Sequence, residues 1–357
     1  MSAPRKSWTE SDIDLLLGGF RLRLVTESRK LLEHVTSVMV PPCETAGHLP
    51  GADWTVMVEE ADELDPDEVD AVFSDRPVVV LPYGGPQLAV VAAGDGTLRA
   101  MGHYRPEAAT AVIEVDMAGR TTRVVLPAGD EMSIRWADWL VRVFFASRML
   151  VSGWHMLHAS AVAVNGSAVL FLAEQGGGKS TLAHRACTEL GAAFLADDLV
   201  LLGPGRTVVG WPTRVSLPEE LVTGTAGTGV GRRRIVFSPA AYRALLNGER
   251  SSPVPLGAVV TVAPGVDADA YAPAVERVNS LRHEEAVALD IPAQRLHTSD
   301  LLGLTGGPRP VERSVNLTRE LLGGVPAACL RIGDLRTLPH APVWEALSEL
   351  LAPLAAS

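Results

Sequence analysis

The segment that most constrains this chain runs from Ser167 to Ser180. The apolar stretch Ser167–Ala173 passes through Glu174-Gln175 into Gly176-Gly177-Gly178-Lys179-Ser180. A short apolar run bounded by turn residues reads as a buried strand. Lys179 to Leu190 reads as a helix, and Gly191 stands where a left-handed residue ends one. A glycine loop between a strand and a helix suits a polyphosphate. Without Cβ atoms the backbone can wrap the anion and aim successive N–H groups at it, and the helix N-terminus adds positive potential. In the pattern G-x-x-x-x-G-K-[ST] the lysine neutralises the β- and γ-phosphates and the hydroxyl ligates Mg²⁺. Here Ala173 takes the place of the first glycine, which weakens a strict match, while the second half is complete. The expected cofactors are ATP and Mg²⁺, bound through Gly176, Gly177, Gly178, Lys179, Ser180 and Thr181.

The second signal is Asp197-Asp198, which follows the short apolar strand Ala192 to Ala196 and lies 18 residues beyond Lys179. Adjacent carboxylates at a buried strand end cost desolvation unless something cationic or a proton meets them. Taken alone, such a pair would be a solvated turn; one helix after a glycine loop, Mg²⁺ and the proton of an attacking hydroxyl become its natural partners. Val200-Leu201-Leu202 continues the strand past the pair. Ahead of the loop, Ala161–Val164 and Ser167–Ala173 flank a turn at Asn165-Gly166.

Residues His158 to Leu202 resemble the catalytic core of HPr kinase/phosphorylase and its relatives. That core has a histidine before the first strand, a loop ending Gly-Lys-Ser, a helix, a glycine and an Asp-Asp pair. Here these are His158, Gly176–Ser180, the following helix, Gly191 and Asp197-Asp198. The likeness is close over roughly these residues and looser to about residue 340. It implies an α/β fold (α+β overall) with a C-terminal P-loop kinase domain of the HPr kinase/phosphoenolpyruvate carboxykinase type. It also implies serine phosphorylation on a peptide or small protein. Asp197 would act as general base, Asp198 with Ser180 would hold Mg²⁺, and His158 would lie beside Asp197 and tune its charge. A structural histidine under the sheet remains open for His158, and His155 is given no role. The family assembles as hexamers, so the resemblance implies a homo-oligomer.

This chain also departs from the family. The glutamate-containing segment expected after the acidic pair corresponds to Gly210–Pro218, which offers Arg214 and no carboxylate; the next candidates are Glu219 and Glu220. The N-terminal region does not read as the usual partner domain. The layout looks more like divergent relatives that phosphorylate ribosomally made precursor peptides, which become the expected acceptors. One of Arg214, Arg232, Arg233 or Arg234 would meet the transferring phosphoryl group or an acidic peptide; each has the alternative of a solvated charge.

The rest of the chain supplies context. Residues 1–130 read as a β-rich domain with a possible role in substrate recognition, 131–151 as a linking helix and 152–357 as the kinase domain. Strands are expected at Trp54–Val58 and Pro77–Leu81. Hairpins are expected at Leu88–Ala93 with Thr97–His103, and at Ala111–Asp116 with Arg120–Leu126. The acidic stretch Glu59–Asp70 reads as a solvated helix or loop. Trp136, Trp139, Leu140, Val143, Phe144 and Leu150 recur at helical spacing after Asp130, a credible N-cap, and Glu131. Further on, Gly257–Ala263 reads as a strand, and His283–Leu289 and Ala341–Leu354 as helices. Thr223–Gly231, composed of Gly, Thr, Ala and Val alone, reads either as a mobile loop or as an ordinary surface linker.

With 31 basic and 42 acidic residues the net charge is −11, and the one dense basic cluster is Arg232-Arg233-Arg234. That is too short to follow a duplex, so nucleic acid is excluded as the expected partner. Cys43, Cys187 and Cys329 are too scattered for a zinc site or a disulfide framework. No apolar run reaches membrane-span length, and Met1–Ile13 lacks a signal-like core, so a soluble cytoplasmic protein is expected with no membrane partner. Two rival readings stay open. One is a nucleotide-binding regulator or peptide-recognition protein without phosphotransfer; the other is an ATPase coupled to movement, whose second acidic motif would stand further from the glycine loop.

Overall fold

In the computed structural model, residues 11–46, 51–62, 79–80, 87–92, 97–103, 111–129, 133–174, 176–223, 233–246, 253–264, 274–278, 320–332 and 341–355 are described. The chain is mixed α/β and divides into two compact units, one built mainly from residues up to Val151 and the other mainly from Ser152 onward. No helix among the described residues is long and apolar enough to cross a membrane.

The first unit is a nine-stranded sheet of β1 (Ser11–Leu17), β2 (Phe20–Thr26), β3 (Glu44–Ala46), β4 (Trp54–Ala61), β5 (Val79–Val80), β6 (Gln87–Ala92), β7 (Thr97–His103), β8 (Ala111–Asp116) and β9 (Thr121–Pro127), with α1 (Arg29–Met39) and α2 (Ser133–Val151). The strand order is β3-β1-β2-β4-β9-β8-β7-β6-β5. Both expected hairpins pair antiparallel, Val90 opposite Ala100 and Ile113 opposite Val124. Alternate residues of β4 and β9 are buried, as a period of two requires of a half-covered sheet.

Two expectations change here. Glu59 and Glu60 extend β4 and do not begin a solvated helix or loop. Cross-strand pairing accounts for it, because Arg123 of β9 meets Glu59 at 2.6 Å and Glu114 of β8 at 3.4 Å. The apolar stripe of α2 is also offset from the one expected. Trp136, Ala137, Leu140, Val141, Phe144, Phe145 and Met149 are buried, whereas Trp139, Val143 and Leu150 are only partly covered. Phe144 packs on Trp54, ring centroids 6.2 Å apart, so α2 is a core helix of the first unit and does more than link. Asp130 and Glu131 lie outside the described residues, as do most of Thr223–Gly231 and all of His283–Leu289.

The second unit holds β10 (His155–Leu157), β11 (Ser160–Val164), β12 (Ser167–Leu172), α3 (Lys179–Leu190), β13 (Ala193–Ala196), β14 (Val200–Gly203), β15 (Thr207–Gly210), β16 (Val215–Pro218), α4 (Glu219–Thr223), β17 (Arg234–Phe237), α5 (Pro239–Leu246), β18 (Val254–Pro264), β19 (Ala274–Val278), β20 (Ala327–Ile332) and α6 (Ala341–Ala355). β12 is buried along its whole length because it pairs parallel with β18 and is covered on both faces. Val169 and Phe171 point to α3 and α6, and Ala168, Leu170 and Leu172 to the opposite core. The β11–β12 turn places Asn165 at φ 47 and Gly166 at φ 86, the left-handed pair that a two-residue hairpin prefers. Gly191 closes α3 at φ 68, with Ala192 N–H reaching Ala186 O at 3.2 Å.

Candidate active site

The glycine loop leaves the buried end of β12 and turns into α3. Each glycine has its own reason. Gly176 sits at φ 80 and Gly178 at φ 96, in the left-handed region that side chains disfavour. Gly177 is constrained by space: a Cβ there would stand 2.8 Å from the Cβ of Ala173 and 3.1 Å from Glu174 O. Ala173, the departure from the strict pattern, therefore occupies the volume that a side chain at 177 would need. Gly178 makes no side-chain cap hydrogen bond, so the first N–H groups of α3 are left for an anion. The Lys179 ammonium donates to Ala173 O at 2.8 Å and Glu174 O at 3.2 Å. Burial lowers the pKa of Lys179, while Asp198 and Asp197 act to raise it. Thr181 is buried on the first turn of α3.

The acidic pair is positioned by two antiparallel ladders that share one register. Leu157 of β10 faces Val200 of β14, and Ala161 of β11 faces Ala196 of β13. One step further along the second ladder brings Ser160 to Asp197. The Ser160 hydroxyl, fully buried, donates to Asp197 Oδ1 at 2.6 Å. From the loop side Ser180 donates to the same oxygen at 2.7 Å. The backbone N–H of Ser216 also reaches this carboxylate, and the Thr213 hydroxyl donates to the Asp197 carbonyl. Burial raises the pKa of Asp197, the charge of Asp198 acts in the same direction, and the Ser160, Ser180 and Ser216 hydrogen bonds oppose it.

Asp198 turns the other way. Its φ of 69 is left-handed, a conformation that Asp tolerates better than most residues. Its side chain stays 57% exposed, and Oδ1 lies 2.9 Å from His158 Nε2. The side-chain contacts thus pair His158 with Asp198 and Ser180 with Asp197, where the resemblance implies His158 beside Asp197 and Ser180 with Asp198. The cause is register: His158 follows directly on β10, whose ladder partner β14 begins two residues after Asp198. The hydrogen bond from His158 is the main reason the pKa of Asp198 is lowered, with burial opposing and the charges of His158 and Lys179 assisting.

Ser160 and Thr213 went unnoticed in the sequence because their contacts are long-range. The arginines separate. Arg214, Arg233 and Arg234 are all exposed, and Arg234 is also engaged, its guanidinium donating to the Ser216 hydroxyl at 2.8 Å; Arg232 lies outside the described residues. Among the described residues no three His, Cys, Asp or Glu side chains gather as a metal cage. A hydroxyl and a carboxylate sharing one corner, with donor N–H groups nearby, fit Mg²⁺ held jointly with substrate phosphates, the usual way that ion is bound.

No protein-family model matches the chain, and no curated protein matches it either. A solved structure, the Hpr(Ser) kinase/phosphatase from Coxiella burnetii, aligns over 57% of this chain and 91% of its own at 12% identity and a TM-score of 0.26. That overlap is too loose to transfer anything to this chain, so the functional reading rests on the residues themselves.

Proposed function

We propose that residues 152–357 form an ATP- and Mg²⁺-dependent phosphotransferase domain that moves the γ-phosphate to a serine hydroxyl of a peptide or small protein, with a ribosomally made precursor peptide as the leading acceptor class. The N-terminal β-rich region, 1–130, would then serve substrate recognition. One observation carries the reading: Ser180 of the glycine loop and Asp197 of the acidic turn, separate in sequence, meet at 2.7 Å beneath the uncapped end of α3.

The geometry favours exchanging the two aspartates' roles. Asp197, buried and bonded to Ser180, sits on the metal side; Asp198, exposed and bonded to His158, is the carboxylate that an incoming hydroxyl can reach. For a general base, reach ranks before pKa. Bound at Ser180 and Asp197, Mg²⁺ would supply charge neutralisation for the β- and γ-phosphate oxygens. Lys179 holds the γ-phosphate, and the α3 N–H groups hold the polyphosphate. The serine oxygen attacks the γ-phosphorus, the bond to the β–γ bridging oxygen breaks, ADP departs, and the hydroxyl proton passes to Asp198, which the His158 hydrogen bond keeps oriented. Positioning and charge supply most of the rate in such a loose transition state.

The test incubates the protein with ATP, Mg²⁺ and serine-containing peptides and follows intact mass. A peptide gains one phosphate with the wild type and none with Asp198→Asn. Nucleotide binding without phosphate on any peptide or on the protein itself would transfer the assignment to the regulator reading.

A further inference from the structure

The β16–β17 hairpin lies against the acidic turn and presents a surface that the reaction above leaves unused. Val215 pairs with Phe237, Ser216 with Val236 and Pro218 with Arg234. Its inner face, Val215 and Leu217, packs with Phe237 on Tyr242. Tyr242 is in turn held by His184 of α3, whose Nδ1 lies 2.8 Å from the phenol oxygen. The hairpin is thus registered to the same helix that opens at the glycine loop. Its alternation sends Arg214, Ser216, Arg234 and Val236 outward.

Arg214 is bracketed by two residues that bond Asp197: Thr213, through its hydroxyl, and Ser216, through its N–H. Its backbone is held at the acidic turn, and the residue itself is exposed. Val236 is 57% exposed, one of three large apolar side chains so displayed among the described residues. Arg234 folds over Ser216 beyond it. The outer face therefore reads cation, apolar, cation. Residues 213–218 and 233–237 contain three arginines and no acid in a chain of net charge −11; the next acids, Glu219 and Glu220, start α4 at the end of the hairpin remote from Asp197.

We infer that this hairpin face binds the acceptor segment itself, and that Arg214 selects for an acidic residue next to the target hydroxyl, with an apolar residue against Val236. The inference rests on the phosphotransferase reading for its site and adds the sequence character of the acceptor. An arginine beside a carboxylate gives a charge-assisted, orienting contact, and a cation at the rim of a site governs partner choice more than raw affinity.

The experiment uses the full chain and fluorescent serine peptides that differ only in carrying Asp, Asn or Lys beside the serine, each with one Leu nearby. Transfer and binding anisotropy are measured separately. The Asp peptide should bind about five- to tenfold more tightly than the Asn peptide, and Arg214→Ala should erase that difference. The KM for ATP should not move. Arg214→Glu should invert the order in favour of the Lys peptide, a gain that a misfolded variant cannot produce. Equal binding of the Asp and Asn peptides, or a rise in the ATP KM with peptide preference intact, overturns the inference. Binding that follows this order without any phosphate transfer supports the hairpin face and sinks the phosphotransferase reading instead.

Discussion

Each unit buries an aspartate, and the two are held in opposite ways. Asp14 of β1 is 2% exposed and accepts two hydrogen bonds from Arg23, at 2.8 and 3.1 Å. Asp197 is 4% exposed, yet no cation stands within ion-pair distance of it among the described residues; two serine hydroxyls and a backbone N–H hold it. A guanidinium satisfies a buried carboxylate completely and leaves it nothing further to do. Hydroxyls leave its charge uncompensated, so the site retains an appetite for a cation that the fold does not supply. The first arrangement suits structure and the second suits a metal–nucleotide site.

Substitutions sharpen this contrast. Lys179→Ala should lower phosphate transfer about 10²–10³-fold, as expected when one fixed positive group is taken from a transferring phosphate; unchanged turnover in the mass assay would remove Lys179 from the site. Asp14→Asn should cost about 2 kcal/mol of stability, below the fully buried case because Arg23 keeps 18% of its side chain exposed, and should leave transfer untouched.

Asp197→Asn should do the reverse, raising Tm while abolishing transfer. The sign follows from the raised pKa of Asp197. A carboxyl that binds its proton more tightly folded than unfolded adds stability below its unfolded pKa and loses it as pH rises through the folded value. The Tm advantage of the Asn variant should therefore widen from acid to neutral pH, and scanning calorimetry across that range checks it. Ser160→Ala, which removes one donor from the buried carboxylate, should cost about 1 kcal/mol and move the acid limb of the rate profile to higher pH. Arg123→Ala, in a pair where the arginine is 43% exposed, should cost less than about 1 kcal/mol and leave the profile in place.

What the sequence made legible was local. The turn at Asn165-Gly166, the stop at Gly191 and the glycine loop between β12 and α3 are dictated by neighbours in the chain, and each appears where its residue types require. Pairings across distance were not legible. That Ser160 faces Asp197 depends on the β11–β13 register, and that His158 meets Asp198 depends on β10–β14. Neither register is written in the residues beside the acidic pair. The α2 stripe shows the same limit at smaller scale: the period was readable, but not which of two adjacent faces Trp54 would cover.

The most direct test of the metal–nucleotide assignment is calorimetric titration of the protein with ATP, with and without Mg²⁺, for the wild type, Ser180→Ala and Lys179→Ala. Saturable binding should strengthen with Mg²⁺, lose that Mg²⁺ dependence in Ser180→Ala and weaken in Lys179→Ala. Absence of binding to the wild type, or binding indifferent to Mg²⁺ and to both substitutions, would contradict the assignment.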